Sequence, residues 1–141
     1  MLEEPKRASL LLRSVAKTID LIIVAAAAEI IPRAGFFAGL AYLLISDGLF
    51  NGKSLGKQLT GLKVVSIATG KACSVRESIL RNLVLCIGAA LWRIPLIGWV
   101  ITLLIVGVEF VMLLGSKEGM RLGDEIAKTT VIIEEKLKVE G

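Results

Sequence analysis

The sequence predicts an all-α membrane protein: a bundle of four transmembrane helices with both termini cytoplasmic, a short amphipathic helix on the inner leaflet and a small two-stranded cytoplasmic β element. Three observations predict it. The chain is 55% hydrophobic with mean hydropathy +0.75, above the roughly 45–50% apolar content usual for soluble domains. Its apolar residues gather into four stretches, 10–31, 34–50, 78–92 and 96–114. At ~1.5 Å per residue these are roughly 22 to 33 Å long, close to the thickness of a bilayer core. Finally, its Lys and Arg residues fall almost entirely between those stretches.

Lys6, Arg7, Arg13 and Lys17 stand before and within the start of the first stretch. Asp20 interrupts that stretch and three more follow, which argues against a cleaved secretory leader. Arg33 alone separates the first stretch from the second. Lys53, Lys57, Lys63, Lys71, Arg76 and Arg81 lie between the second and third, Arg93 alone between the third and fourth. Lys117, Arg121, Lys128, Lys136 and Lys138 follow the last. Fifteen of the seventeen basic residues therefore lie on one side and two on the other. Flanking Lys and Arg are retained in the cytoplasm, so the protein is expected to be multi-pass in the cell membrane with both termini inside.

The connecting pieces are organised. Leu55, Leu59 and Leu62 recur at helical spacing opposite Lys57 and Gln58, which predicts a short helix over Ser54 to Gly61 lying on the inner leaflet. Leu62 to Ile67 is rich in Val and Ile and is followed by the turn-like Ala68-Thr69-Gly70-Lys71, which predicts a strand. Thr129 to Ile133 has the same character, and the two strands are expected to pair because a bare edge is a liability. Ser74 and Glu77 form a capping box that starts the third helix, and Pro95 marks the turn into the fourth. With no internal repeat, residues 1–141 are expected to form a single domain.

Composition also excludes functions. The net charge of +4 is accounted for by a basic cytoplasmic rim facing anionic lipid heads, and no basic cluster interleaved with aromatics suggests nucleic acid. No His and only two Cys leave no metal centre. Cys73 faces a reducing cytoplasm and Cys86 lies within the third stretch, so no disulfide is expected. Gly52-Lys53-Ser54 is not a phosphate-binding loop: the preceding glycine, Gly48, is one residue too close, and a membrane helix precedes it where a strand is needed. No His base and no activated Ser or Cys is present, so the chain is not expected to be an enzyme or to hold a cofactor.

Four motifs carry a family resemblance. Arg13, Ala16 and Asp20 stand at the spacing seen in the RDD membrane proteins, named for an arginine and two aspartates. The run Ser54-Leu55-Gly56-Lys57-Gln58-Leu59-Thr60-Gly61-Leu62-Lys63-Val64-Val65 resembles that family's Gly-Lys-rich loop, with Gly56, Lys57 and Gly61 as its marked positions. Arg81-Asn82 sits where the family's third helix begins. Leu122-Gly123-Asp124 followed by Thr129, Thr130 and Val131 is similar to its closing aspartate motif. Gly123 stands where many members carry His, so any role of that His is absent. The resemblance implies a membrane protein for which transport, and cation exchange in particular, is suggested.

The acids inside the apolar stretches carry the chemistry. Asp20, Glu29, Asp47 and Glu109 are each costly there, by ~2.5–3.5 kcal/mol for a central Asp on insertion scales, and should find partners within the bundle. Arg13, Lys17 and Asp20 share one face of the first helix while Glu29 points away. Lys17 can reach Asp20 at the three-residue spacing, whereas Arg13 and Asp20 are too far apart along the axis to pair. Asp47 and Glu109 lie near the cytoplasmic ends of their helices, so a charged pocket opening to the cytoplasm is expected. Arg13 is assigned to Asp124, the family's second aspartate, as a clamp, and Asp20 with Glu109 or Asp47 as the ionisable centre. The same face also reads as a structural ion-pair network. Gly35 and Gly39 make a small-residue packing face for a helix of this chain or of a second copy.

Two functions follow from different classes. In one, the protein moves a small cation or proton, with Asp20 and Glu109 alternately protonated and loaded and Asp47 and Lys17 along the path. In the other it is a non-catalytic adaptor or assembly factor that holds a partner on its cytoplasmic face. One copy is small for alternating access, which is usually built from repeated halves, and a homo-oligomer would supply the missing symmetry.

Overall fold

The computed structural model describes residues 6 to 134; Lys136 and Lys138, counted above with the basic residues, lie outside them. The described residues form helices α1 (Leu10–Ile30), α2 (Ala34–Leu49) and α3 (Leu55–Thr60), strand β1 (Leu62–Ser66), helices α4 (Val75–Leu91), α5 (Ile97–Gly115) and α6 (Leu122–Ala127), and strand β2 (Thr129–Ile133). The Oγ of Ser9 accepts from the Leu12 amide and starts α1. Pro32, which cannot continue a helix, follows its end. Helix α4 begins three residues before its apolar stretch, because the Ser74 and Glu77 capping box fixes its first turn. The Glu77 amide donates to Ser74 Oγ at 3.3 Å and the Ser74 amide to Glu77 Oε2 at 2.9 Å. Helix α6 is not among the elements that the sequence predicts.

The helices pack as an arc, α1 on α2, α2 on α4 and α4 on α5, while α1 and α5 share no comparable interface. Gly35 and Gly39 lie against Ala27 and Val24 of α1, so their packing partner belongs to the same chain. Among the described residues one helix, α5, is long and apolar enough to cross a membrane, and α2 is a shorter apolar helix. Of the four membrane-crossing helices expected, one member of the arc has clear membrane length and character. Helix α1 falls short by carrying Arg13, Lys17, Asp20 and Glu29.

Strands β1 and β2 pair antiparallel, with Leu62 opposite Ile133 and Val64 opposite Val131. Leu62, Val64 and Val131 bury against Ala16 and Cys73 in a small apolar core. Both outer edges of this pair are covered. On the β2 side the Ala8 amide donates to Val131 O and the Ile133 amide to Lys6 O. On the β1 side the Cys73 amide donates to Val64 O and the Ser66 amide to Lys71 O.

Helix α3 turns a lysine into the protein and a leucine out. Lys57 is 6% exposed and points inward, while Leu59 is 74% exposed. Gly56 explains the approach: a Cβ there would collide with the Ala16 carbonyl, so α3 presses its backbone onto α1 and turns Lys57 toward Asp47. Gly61 ends the helix in a left-handed conformation that glycine adopts without strain.

Candidate functional site

One connected set of charges ties all six helices together at the end of the arc nearest the sheet. At its centre is Arg81, in the second turn of α4 and 1% exposed. Its Nη2 lies 2.8 Å from Asp124 Oδ1 and its Nε 3.5 Å from Asp47 Oδ2. Asp47, at the last turn of α2, also holds Lys57 Nζ at 2.6 Å and accepts from Asn82 Nδ2 at 3.4 Å. Asp124 accepts from Arg13 Nη2 and meets Arg121 Nη2 at 3.5 Å, while Arg13 Nη1 donates to the Gly119 carbonyl. Arg121 in turn approaches Glu109 of α5 at 4.0 Å.

Local packing makes these approaches short. Ser78 Oγ donates to the Leu44 carbonyl at 2.6 Å and locks α4 to α2. Gly123 lets α6 sit directly on the backbone of α4, since a Cβ there would collide with the Arg81 carbonyl. That contact brings Asp124 to Arg81. Glycine at position 123 is therefore a steric requirement in this chain.

Asp20 belongs to a second arrangement, which meets the first where Lys57 Nζ donates to Ser54 Oγ at 3.5 Å. Its carboxylate accepts from Tyr42 Oη at 3.0 Å, Ser54 Oγ at 2.5 Å and the Gly56 amide at 2.9 Å. Tyr42 Oη also accepts from the Leu55 amide, and Ser54 Oγ from the Lys57 amide. The carboxylate thus organises the N-terminus of α3, where three donors saturate it.

A cavity of about 410 Å³ lies inside the arc, lined by α1, α4 and α5 with Leu43, Lys57, Arg121 and Val131. Its end nearest the sheet is polar, with Arg13, Lys17, Lys57, Arg81, Asn82, Glu109 and Arg121. Leu85, Ala89, Ile105, Val106 and Phe110 make the rest apolar.

Several sequence expectations need correction against this geometry. Asp20 and Glu109 do not form one centre: they share no hydrogen bond or ion pair, and only Glu109 lines the cavity. Lys17 does not pair with Asp20; its Nζ donates to Asn82 Oδ1 at 3.4 Å, because Asp20 is turned toward α3. Asp47 is neutralised by Lys57 and Arg81 behind the cavity wall and does not lie on a path. Arg13 does contact Asp124. Glu29 is exposed. The sequence reading did not assign Arg81, Asn82, Arg121, Tyr42 and Ser54 to the site. Arg81 and Asn82, two polar residues inside the α4 apolar run, carried a signal that counting Arg81 with the loop charges obscured.

Outside the apolar helices the electrostatics of Asp124 are clear. Burial opposes its charge, but the guanidiniums of Arg81, Arg121 and Arg13 outweigh burial and hold the carboxyl well below the ordinary range. A depressed folded-state value means that ionised Asp124 stabilises the fold fully above its unfolded value near pH ~3.9 and progressively less as pH falls below that. Protection of the α6 amides against hydrogen exchange should accordingly fall in acid. Asp124→Asn should show weak protection already at neutral pH; an Asn variant with α6 as protected as wild type removes the clamp. Burial pushes the Cys73 thiol up to about 12, so that cysteine is unreactive while the fold holds.

A helical chain with an apolar exterior, charged groups inside and one membrane-capable helix is a membrane-associated protein. It belongs to the RDD family, whose model matches residues 33–128, in agreement with the motif resemblance. The match includes Gly56, Lys57, Arg81 and Asp124, while Arg13 and Asp20 precede it. No curated protein and no solved structure matches the chain.

Proposed function

We propose that this protein is a four-span cell-membrane carrier with cytoplasmic termini that exchanges protons for a small ion through the cavity, with Glu109 as the proton-carrying group. The observation that carries the reading is the state of Glu109. It is 5% exposed within the most apolar helix, lines the cavity, and neither carboxylate oxygen accepts a hydrogen bond among the described residues. Asp47, Asp124 and Asp20 each have close partners. Among the described residues Glu109 is the buried acid with neither oxygen hydrogen-bonded, the feature that suits a proton-carrying role.

The four-span topology is supported by an inverted distribution of side chains. Arg81, Asn82, Asp20, Asp47 and Asp124 are among the most deeply buried, whereas Leu11, Phe37, Leu96, Leu103 and Val111 are all more than 60% exposed. Water would penalise that arrangement and hydrocarbon favours it. Helices α1, α2, α4 and α5, of 21, 16, 17 and 19 residues, are roughly 24 to 32 Å long. Orientation is supported by the gathering of cations around the sheet end. The opposite end has Arg93 4.8 Å from the Phe36 ring centre and the Trp92–Trp99 pair, the composition of a membrane interface. A partner-holding role through strand addition finds less support, since both sheet edges are occupied.

Purified protein in liposomes with an internal pH dye should collapse an imposed pH gradient, at a rate that depends on the external alkali cation. Glu109→Gln, which keeps shape and removes the titratable group, should lower that rate at least tenfold while the protein stays folded. Flux unchanged in the Gln variant rejects this assignment.

A further inference from the structure

The polar end of the cavity holds more positive charge than its acids neutralise. Arg13, Lys17, Lys57, Arg81 and Arg121 converge there, while Asp47, Asp124 and Glu109 are the acids that meet them. Two of these cations have unused donors. Arg81 Nη1 is fully buried and has no hydrogen-bond partner among the described residues. Lys17 Nζ has a single long hydrogen bond, to Asn82, and no ion pair among them. The Arg81 nitrogen is itself closed off from the cavity, but Lys17 lines it together with Arg13 and Arg121. An anion there would offset the excess positive charge.

The rest of the cavity says what kind of anion. Beyond the cations the wall is hydrocarbon, formed by Leu85, Ala89 and Val106. Helices α1 and α5, which face each other across it, are not packed together. The cavity is thus an amphipathic slot with a cationic end and an apolar length, open at the side between two helices. Its volume, about 410 Å³, is that of a site for one small ligand. It accepts a headgroup phosphate and the upper part of one chain, with the remainder lying in the gap.

We infer that the cavity binds an anionic glycerophospholipid from the cytoplasmic leaflet, its phosphate on Lys17 at the cationic end and an acyl chain between α1 and α5. Arg121, 4.0 Å from Glu109, offsets the acid that lines that end of the cavity. Basic pockets between membrane helices on the cytoplasmic side suit such headgroups by charge. The inference rests on the membrane placement proposed above, and it is separable from proton movement.

The test uses the full chain in neutral detergent, read by native mass spectrometry and by thermal shift. The probes are dioleoyl phosphatidylglycerol, dioleoyl phosphatidylcholine and inorganic phosphate. Phosphatidylglycerol should be retained as a single bound copy with at least tenfold preference over phosphatidylcholine, and phosphate alone should give a smaller thermal shift. Lys17→Gln should weaken retention about fivefold, the loss expected for one cation near a headgroup. Ala89→Phe, which fills the apolar length and leaves the cations in place, should abolish lipid retention but not the small response to phosphate. Equal retention of the two lipids, a phosphate response as large as that of phosphatidylglycerol, or full retention in Ala89→Phe would each overturn the inference. Glu109→Gln should keep its lipid, so loss of flux and loss of lipid are scored independently.

Discussion

Arg81→Met should be the most damaging single substitution in the chain. It strips one cation from two buried acids at once, since Asp47 and Asp124 both meet Arg81 at its 1% exposed position. Removing one partner of a buried pair costs about 3–5 kcal/mol because the other charge stays desolvated. At a few degrees per kcal/mol for a chain of this size, the unfolding midpoint should fall by roughly 10 °C or more. Cys73 and Cys86, both free and buried, provide the readout: a thiol-reactive dye reports their exposure on heating. Arg81→Lys should lose less, keeping the charge but not the planar fork that reaches two acids. A Met variant that melts with wild type would mean the network contributes nothing to stability.

The second large effect is expected at Asp20, and it is structural. Asp20→Ala leaves Tyr42 Oη, Ser54 Oγ and the Gly56 amide without their common acceptor. Each buried donor left unpaired costs about 1–3 kcal/mol, so a loss of about 3 kcal/mol or more is expected even with partial relaxation. The loss should be local first. Helix α3 should detach from α1, exposing Lys57 to trypsin and unprotecting the amides of 55–60, while α4 and α5 remain protected. Asp20→Asn should behave similarly, because an amide NH₂ would replace one of the oxygens that those donors need. If α3 stays protected in both variants, the three-donor cage is not what holds it.

These two residues also show what could be read from the sequence. Helix positions followed from apolar stretches and from the Ser74 and Glu77 cap, and strand pairing from two Val and Ile runs flanking the third and fourth stretches. The contact between Arg13 and Asp124 was accessible because each stands in a recognisable motif. The partners of Asp20 were not. Helical spacing put it beside Lys17, but its environment is decided by Gly56, thirty-six positions away, whose missing side chain lets α3 touch α1. The inward turn of Lys57 has the same origin. Its leucines gave α3 an apolar face, and Leu55 and Leu59 of that face are exposed while Lys57 is buried. Helical periodicity reports that two faces differ; it does not say which one is buried.

The covering of the sheet edges sets an order on biosynthesis. Strand β2, among the last described residues to leave the ribosome, must slot between β1 and the segment from Lys6 to Ala8, which is made first. The segment from Lys6 to Ala8 therefore waits, unzipped, until β2 has been made. A product terminated before Thr129 would leave both flanking segments without a neighbour, a ready mark for proteolytic quality control.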